Sequence, residues 1–285
     1  MRAGVSISER RACGLVDIAR STLRRTVVES EPDQVLQAKI IDVAQARRRF
    51  GYRRIHDLLR REGVQANHKK IYRLYSEAKL SVRKRRRRKL VTADRQALYR
   101  PTRPNEVWSI DFVMDALANG WRIKCLTVVD DFTRECLDIA VDFGISGEYV
   151  SRVLDHIAQF RGLPKAIRTD QGPEFTSRAL DRWAYDKAVD LKLIAAGKPT
   201  QNAYIESFNG KFRDECLNDH YFSNLAHARA VIAAWRCDYN QTRPHSSLGR
   251  IPPAEFAARH RLGAGDGRSR SWFRIQPWTL RTSAW

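Results

Sequence analysis

The hydrophobic period of the chain changes at residue 105, and that change limits the fold more than any other feature. Before it, apolar residues recur every three or four positions. "YRRIHDLLRREG" (52–63) sets Ile55, Leu58 and Leu59 on one face and closes at Gly63. "NHKKIYRLYSEAKL" (67–80) sets Ile71, Leu74 and Tyr75 on one face behind Asn67, a natural helix N-cap. After it, "EVWSIDFVMD" alternates strictly: Trp108, Ile110, Phe112 and Met114 on one side, Ser109, Asp111, Val113 and Asp115 on the other. A two-residue period is that of a strand, and the two patterns cannot belong to one continuous element. The sequence therefore predicts an all-α part followed by a part built on a sheet.

Within the first part, "SISERRACGL" and "VDIARSTLRRTVV" read as helix, turn at Gly14, helix. "EPDQVLQAKIIDVAQARRRFG" reads as an amphipathic helix with Val35, Ile40, Val43 and Ala44 inward, stopping at Gly51. Two later helices joined by a short glycine-containing turn form a helix-turn-helix pattern. Its second helix would present Asn67, His68, Lys69, Lys70 and Arg73 to DNA. In the second part, "WRIKCLTVVDDFT" and "ECLDIAVDFG" give two more strands joined at "DDFTR", where Asp130 and Asp131 act as turn residues. A helix over 146–162, a short strand "KAIRTD", a helix over 177–190, a strand "LKLIA", a helix over 202–217 and a last helix over about 223–240 follow. Three antiparallel strands extended by two parallel ones make a mixed five-stranded α/β sheet with helices on both faces.

Charge separates the same two parts. Residues 1–104 hold 28 Lys and Arg against 10 Asp and Glu, whereas 105–285 hold 24 against 22. The first third of the chain thus carries nearly all of the net +20, as expected of a polyanion-binding part joined to a different working part. Between them lies "RKRRRRK" (83–89). Like charges this dense resist packing, so 83–104 reads as a basic linker whose Arg85, Arg86, Arg87 and Arg88 neutralise phosphates. The expected division is 1–82 helical DNA-binding, 83–104 linker, 105–262 catalytic core and 263–285 an irregular tail. No apolar run is long enough to span a membrane, and the basic segments lack an apolar face with aromatic anchors. Five scattered cysteines without a CxxC pair fit a reduced, cytoplasmic protein and exclude a Cys-rich zinc site.

Three carboxylates stand out by position. Asp111 lies mid-strand, Asp170 ends the fourth strand just before "QGPEF", and Glu206 lies in the first turns of a later helix, with 35 residues between it and Asp170. At three and four positions from Glu206 stand Asn202, Ala203, Asn209 and Gly210, none of them cationic. Taken singly, each acid has an ordinary explanation: a turn former for Asp170, a solvent-facing strand residue for Asp111, a helix-dipole partner for Glu206. Taken together they would repel one another unless a divalent cation met them. Two Mg²⁺ ions held by oxygen ligands suit phosphodiester displacement. Lys198, Lys211 and Arg213 flank Glu206 and would hold DNA phosphates, although Lys211 also has Asp214 and Glu215 within helical reach. His245 in "RPHSSLG" reads as either a turn residue or a DNA contact.

At "RTDQGPEFTS" and "GKPTQNAYIESFNGKFRDECLN" the chain resembles bacterial insertion-sequence transposases with a retroviral-integrase-like core, the second-frame products of elements with two overlapping reading frames. The likeness continues through "PNEVWSIDFVMDAL", "CLTVVDDFTRECL", "RGLPKAIR", "AWRCDYNQTRPHSSLG" and "IPPAEFAAR", covering about residues 40–260. The family pattern of Asp, Asp and, 35 residues on, Glu falls on Asp111, Asp170 and Glu206. The resemblance implies a ribonuclease-H-like fold and Mg²⁺- or Mn²⁺-dependent cleavage and strand transfer of double-stranded DNA, at element ends and target. It implies a homo-oligomer on DNA, a nucleoid-associated protein of the bacterial cytoplasm, and possible pairing or fusion with the upstream-frame DNA-binding product. A nuclease of the same fold that cuts without joining, and an inactive element product acting as a DNA-binding regulator, are the rival readings. The tail "LGAGDGRSRSWFRIQPWTLRTSAW" has no counterpart in the family.

Overall fold

The computed structural model describes residues 8–23, 31–82, 99–194 and 202–262. Its first part is helical: α1 (Glu9–Leu15), α2 (Arg20–Leu23), α3 (Glu31–Ala46), α4 (Tyr52–Arg61) and α5 (His68–Glu77). Asn67 caps α5 by accepting from the Lys69 amide at 2.9 Å. Leu36, Ile40, Phe50, Ile55, Leu58, Leu59, Ile71, Leu74 and Tyr75 form one core between α3, α4 and α5.

Three local expectations are corrected. Gly14 lies inside α1, and the chain turns two residues later, where Asp17 takes the left-handed conformation (φ 50°) that Asp tolerates. Leu36, not Val35, lies on the inward face of α3. Val35 is 57% exposed, because Leu36 is the residue one helical turn before Ile40. Gly51 does not end α3 but is the N-cap residue of α4, and the intervening turn buries Phe50.

The second part is a five-stranded sheet in the order β3-β2-β1-β4-β5, built from β1 (Val107–Ala116), β2 (Arg122–Asp130), β3 (Cys136–Asp142), β4 (Ala166–Thr169) and β5 (Asp190–Leu193). β1, β2 and β3 pair antiparallel, while β4 and β5 are parallel to β1. This is the mixed five-stranded sheet that the order of elements predicts, and its ribonuclease-H-like arrangement is what the resemblance implies. Both faces are covered. On one, α6 (Gly147–Arg161) and α7 (Arg178–Asp186) pack on Trp108, Ile110, Leu126, Val128 and Ile167. On the other, α8 (Ala203–Glu215) and α9 (Leu225–Gln241) pack on Val113, Ile123, Cys125 and Val129. The alternation in β1 therefore distributes residues between two cores rather than between core and solvent. Met114, on the same strand face as buried Trp108 and Ile110, is 53% exposed. The chain closes with α10 (Pro253–Leu262). No described helix is long and apolar enough to cross a membrane.

The β2–β3 turn is a packed corner. Asp130 accepts from the amides of Asn105, Phe132 and Thr133 at 2.8 to 2.9 Å, and buried Asp131 pairs with Arg168 of β4 at 2.6 Å. Both acids thus serve structure, as the turn reading proposed. At the far side, the first turn of α6 meets the segment that leads into α7. A Cβ on Gly147 would stand 1.9 Å from Ser177 Oγ and 3.0 Å from the Glu174 carbonyl oxygen. Gly147→Ala is expected to cost about 1–3 kcal/mol, read as a lower thermal midpoint.

Candidate active site

Asp111 lies midway along β1 on the face covered by α8. Asp170 is the residue after β4. Ser109 stands beside Arg168 in the parallel β1–β4 pair, so the same register carried two residues further sets Asp111 beside Asp170. Asp170 is exposed, and its Oδ1 accepts from the Gly172 amide at 3.1 Å. The loop that follows is pinned to the sheet. Phe175 stacks on Phe112 at 4.7 Å between ring centroids, Glu174 pairs with Lys124, and the Lys124 ammonium lies 3.8 Å from the Phe112 centroid. Gln171 Nε2 donates to the Ile194 carbonyl at 3.3 Å.

Glu206 is brought in by α8. Ile205, Phe208 and Phe212 anchor this helix in the core, leaving Glu206 and Asn209, three residues apart, on a neighbouring face. Asn209 Nδ2 donates to Asp111 Oδ2 at 2.8 Å, and Asn209 Oδ1 accepts from Thr127 Oγ1 at 3.0 Å. Thr127 is the cross-strand partner of Asp111. One amide thereby ties the helix to both strands one turn beyond Glu206. Sequence reasoning treated Asn209 only as a non-cationic neighbour; its spacing of three from Glu206 was the available signal.

Burial pushes the Asp111 carboxyl up to about 6, and the negative charges of Asp170 and Glu206 add to the rise, against hydrogen bonds from the Phe112 amide and Asn209. Both acids therefore lie within electrostatic reach of Asp111. Burial also raises Glu206 above the usual carboxylate range. Among the described residues, none of the three forms an ion pair. Nor does any group of three or more His, Cys, Asp or Glu among them close around a common metal position. The donor chemistry still suits a hard divalent cation. It is all oxygen, and Mg²⁺ needs only one or two protein carboxylates, completing its shell with waters and phosphates. Asp111 and Asp170 are such a pair.

The other expected site residues divide. His68 and Lys69 are exposed at the start of α5. Lys70 and Arg73 are instead paired with Asp33 of α3, Arg73 at 2.6 Å and also with Glu77 at 3.2 Å, so part of their charge holds the helices together. Arg213 is exposed, and one guanidinium nitrogen donates to the Met114 carbonyl at 3.2 Å. Lys211 does not pair with Asp214 or Glu215. Its ammonium donates to Ser207 O and Oγ at 2.8 and 2.7 Å, because Glu215 is clasped by Arg243 at 2.6 and 2.7 Å and approached by Arg54 at 3.4 Å. His245 is buried, its amide donates to the Ile251 carbonyl at 3.1 Å, and burial beside Arg243 and Lys211 lowers it to about 2, which leaves the turn reading. Arg85, Arg86, Arg87, Arg88, Lys198 and the 263–285 tail lie outside the described residues.

A mixed sheet in this order, with acids on its central strand and just past the adjoining parallel strand, defines the ribonuclease-H-like class of integrase cores. Residues 101–199 and 187–253 match the integrase core domain family, and 31–89 match an HTH-like domain. The chain is 66% identical over 264 residues to a 31.7 kDa protein of insertion element IS407 from Burkholderia multivorans, covering 93% of this chain and 95% of that one. It is 62% identical to a 39.2 kDa protein of insertion element IS476 from Xanthomonas euvesicatoria, covering 90% and 74%. A more distant relative, 26% identical over 82% of this chain and 97% of its own length, is the transposase for insertion sequence element IS904 of Lactococcus lactis. The chain belongs to the bacterial insertion-sequence transposases with an integrase core.

The pKa of Asp111 makes a separate, sign-specific expectation. Its folded value exceeds its unfolded value, so the stability that its proton confers is complete below about pH 4 and lost as pH rises through about 6. In chelator at pH 7.5, Asp111→Asn is expected to stabilise the protein by about 1–2 kcal/mol, and at pH 4 to give no gain. Thermal melts at the two pH values check this.

Proposed function

We propose that this chain cleaves and joins DNA phosphodiesters at the ends of an insertion element, in a divalent-metal-dependent reaction, with Asp111, Asp170 and Glu206 as the catalytic carboxylates. The observation that supports the reading is that the charges of Asp170 and Glu206 both reach Asp111, while among the described residues no cation is paired to any of the three. Two are adjacent by strand register and the third is held by a helix that Asn209 hydrogen-bonds to the first. Repulsion of this kind is tolerated where a site has work to do.

A divalent cation held by Asp111 and Asp170, with Glu206 completing the set, would supply charge stabilisation to the attacking and leaving oxygens. The chain's own contribution is positional. Asn209 and the Phe112 amide fix both oxygens of Asp111. The "QGPEF" loop, held by Phe112–Phe175 stacking and the Lys124–Glu174 pair, fixes the backbone that carries Asp170. Arg213, near Glu206 on the exposed side of α8, is placed to meet a backbone phosphate, a contact that positions DNA without reading sequence. The helical part, with Lys69 and His68 exposed at the start of α5, is the proposed duplex-binding region, and its HTH-like match supports that use. Joining two element ends calls for at least two copies of the chain on DNA.

Asp170→Asn is the direct test. In Mg²⁺ it is expected to reduce strand transfer of pre-cleaved ends by at least about 100-fold, as for loss of a principal electrostatic group, with DNA affinity within twofold of wild type. Joining at the wild-type rate overturns the three-carboxylate assignment. Because Asp111 must be ionised to hold a cation, the Mg²⁺ concentration needed for half-maximal joining is expected to rise as pH drops through about 6.

A further inference from the structure

Outside the carboxylate site, four cations from four separate elements converge on the flank of α8. Tyr204, Phe208, Lys211 and Glu215 recur along one stripe of this helix, turned away from Glu206. Against this stripe lie Arg134 from the β2–β3 turn, Arg243 and His245 from the segment after α9, and Arg54 from α4. Arg243 is almost wholly buried and bonded to Glu215; Arg54 reaches the same carboxylate; a guanidinium nitrogen of Arg243 lies 3.4 Å from His245 Nε2. The Lys211 ammonium has its hydrogen bonds within its own helix, to Ser207.

Arg134 is the odd member. Its backbone holds φ at +62°, strained for a residue with a side chain. Its guanidinium lies 3.6 Å from the Tyr204 ring centroid, and its Nη1 is buried without a hydrogen-bond partner. A buried donor left unpaired is destabilising, and strain of this kind concentrates at working sites. The carboxylate among the four cations is Glu215, which Arg243 and Arg54 already hold; neighbouring Asp238 is taken by Arg47. Burial, and after it the charges of Arg243, Arg54 and Arg134, lower the Lys211 ammonium to about 8, against the opposing effect of Glu215.

We propose that Arg134, Lys211, Arg54 and Arg243 form an anion recess that takes a backbone phosphate of the bound DNA where the helical part meets the core. A phosphate there would give Arg134 Nη1 its missing acceptor and offset charge that the protein leaves uncompensated. It would also fasten the DNA to the helix that carries Glu206, on the flank away from the carboxylates. This rests on the proposed function and goes beyond it, by naming a contact remote from the reacting phosphodiester.

The test uses the full chain and a fluorescein-labelled DNA duplex, with affinity followed by anisotropy against salt. Arg134→Gln and Lys211→Gln are each expected to reduce the slope of log affinity against log salt by about 1, the signature of one lost phosphate contact. Arg182→Gln, on α7 across the sheet, is expected to leave it unchanged. A recess of mutually repelling cations also predicts that Arg134→Gln melts at the same temperature as wild type or higher without DNA. If Arg134→Gln melts lower, Lys211→Gln, which forfeits hydrogen bonds only to its own helix, decides. Unchanged slopes in the deciding variants overturn the proposal. If inorganic phosphate alone raises the wild-type midpoint but not that of Arg134→Gln, while DNA slopes stay equal, the recess takes a free anion and the DNA assignment falls. Asp170→Asn run in parallel separates the two claims. Normal joining by that variant sinks the proposed function, whereas lost joining with unchanged Arg134→Gln slopes sinks the recess alone.

Discussion

The hydrogen bonds of one side chain, Asn209, hold the candidate site together. Its amide nitrogen meets Asp111 on β1 and its oxygen meets Thr127 on β2, so α8 has a polar contact to the sheet as well as a greasy one. Ile205, Phe208 and Phe212 supply the adhesion, but apolar packing is non-directional and by itself would allow the helix to rotate or slide. Asn209 fixes both. Because Glu206 lies one turn away on the same rigid helix, the contact that orders Asp111 also sets the position of Glu206.

Around this link the fold is arranged so that opposite sides of α8 meet different neighbours. One side approaches the acids of β1 and β4. The other meets a cluster of guanidinium groups, an ammonium group and a neutral imidazole, with Glu215 between Arg243 of the core and Arg54 of the helical part. Phe50 lies in the same junction, with the guanidinium carbons of Arg47 and Arg54 each 5.2 Å from its ring centroid and that of Arg243 at 5.7 Å. Arg47 is bonded to Asp238 of α9, Arg61 to Glu255 of α10 at 2.7 Å, and Asp57 to Arg250 at 3.2 Å. Arg47 and Arg61 of the basic first part are therefore committed to the core rather than to DNA. Net charge overstated how much of that part faces a polyanion.

The three candidate acids were legible as residues at recognisable landmarks, mid-strand, strand end and first turns of a helix, and it was the family resemblance that joined them into one set. The helices α4 and α5 and their cores were legible because a 3.6-residue stripe is a local property. Errors arose where a neighbour, not the local pattern, decided. Val35 was read inward although Leu36 shares the stripe with Ile40. Lys211 was given Glu215, which two arginines from distant segments hold.

The sequence alone determined the class of fold, through the switch from helical to alternating period and the order of strands and helices, because those patterns are written in consecutive residues. It also marked three acids and a strongly basic first part. Only the tertiary structure decided which charges are spent inside the protein, that Asn209 couples Glu206 to Asp111, and that Arg134, Lys211, Arg54 and Arg243 gather along one flank of α8. Those facts depend on residues 82 to 161 positions apart in the chain being brought within a few ångströms, and no local period records such distances.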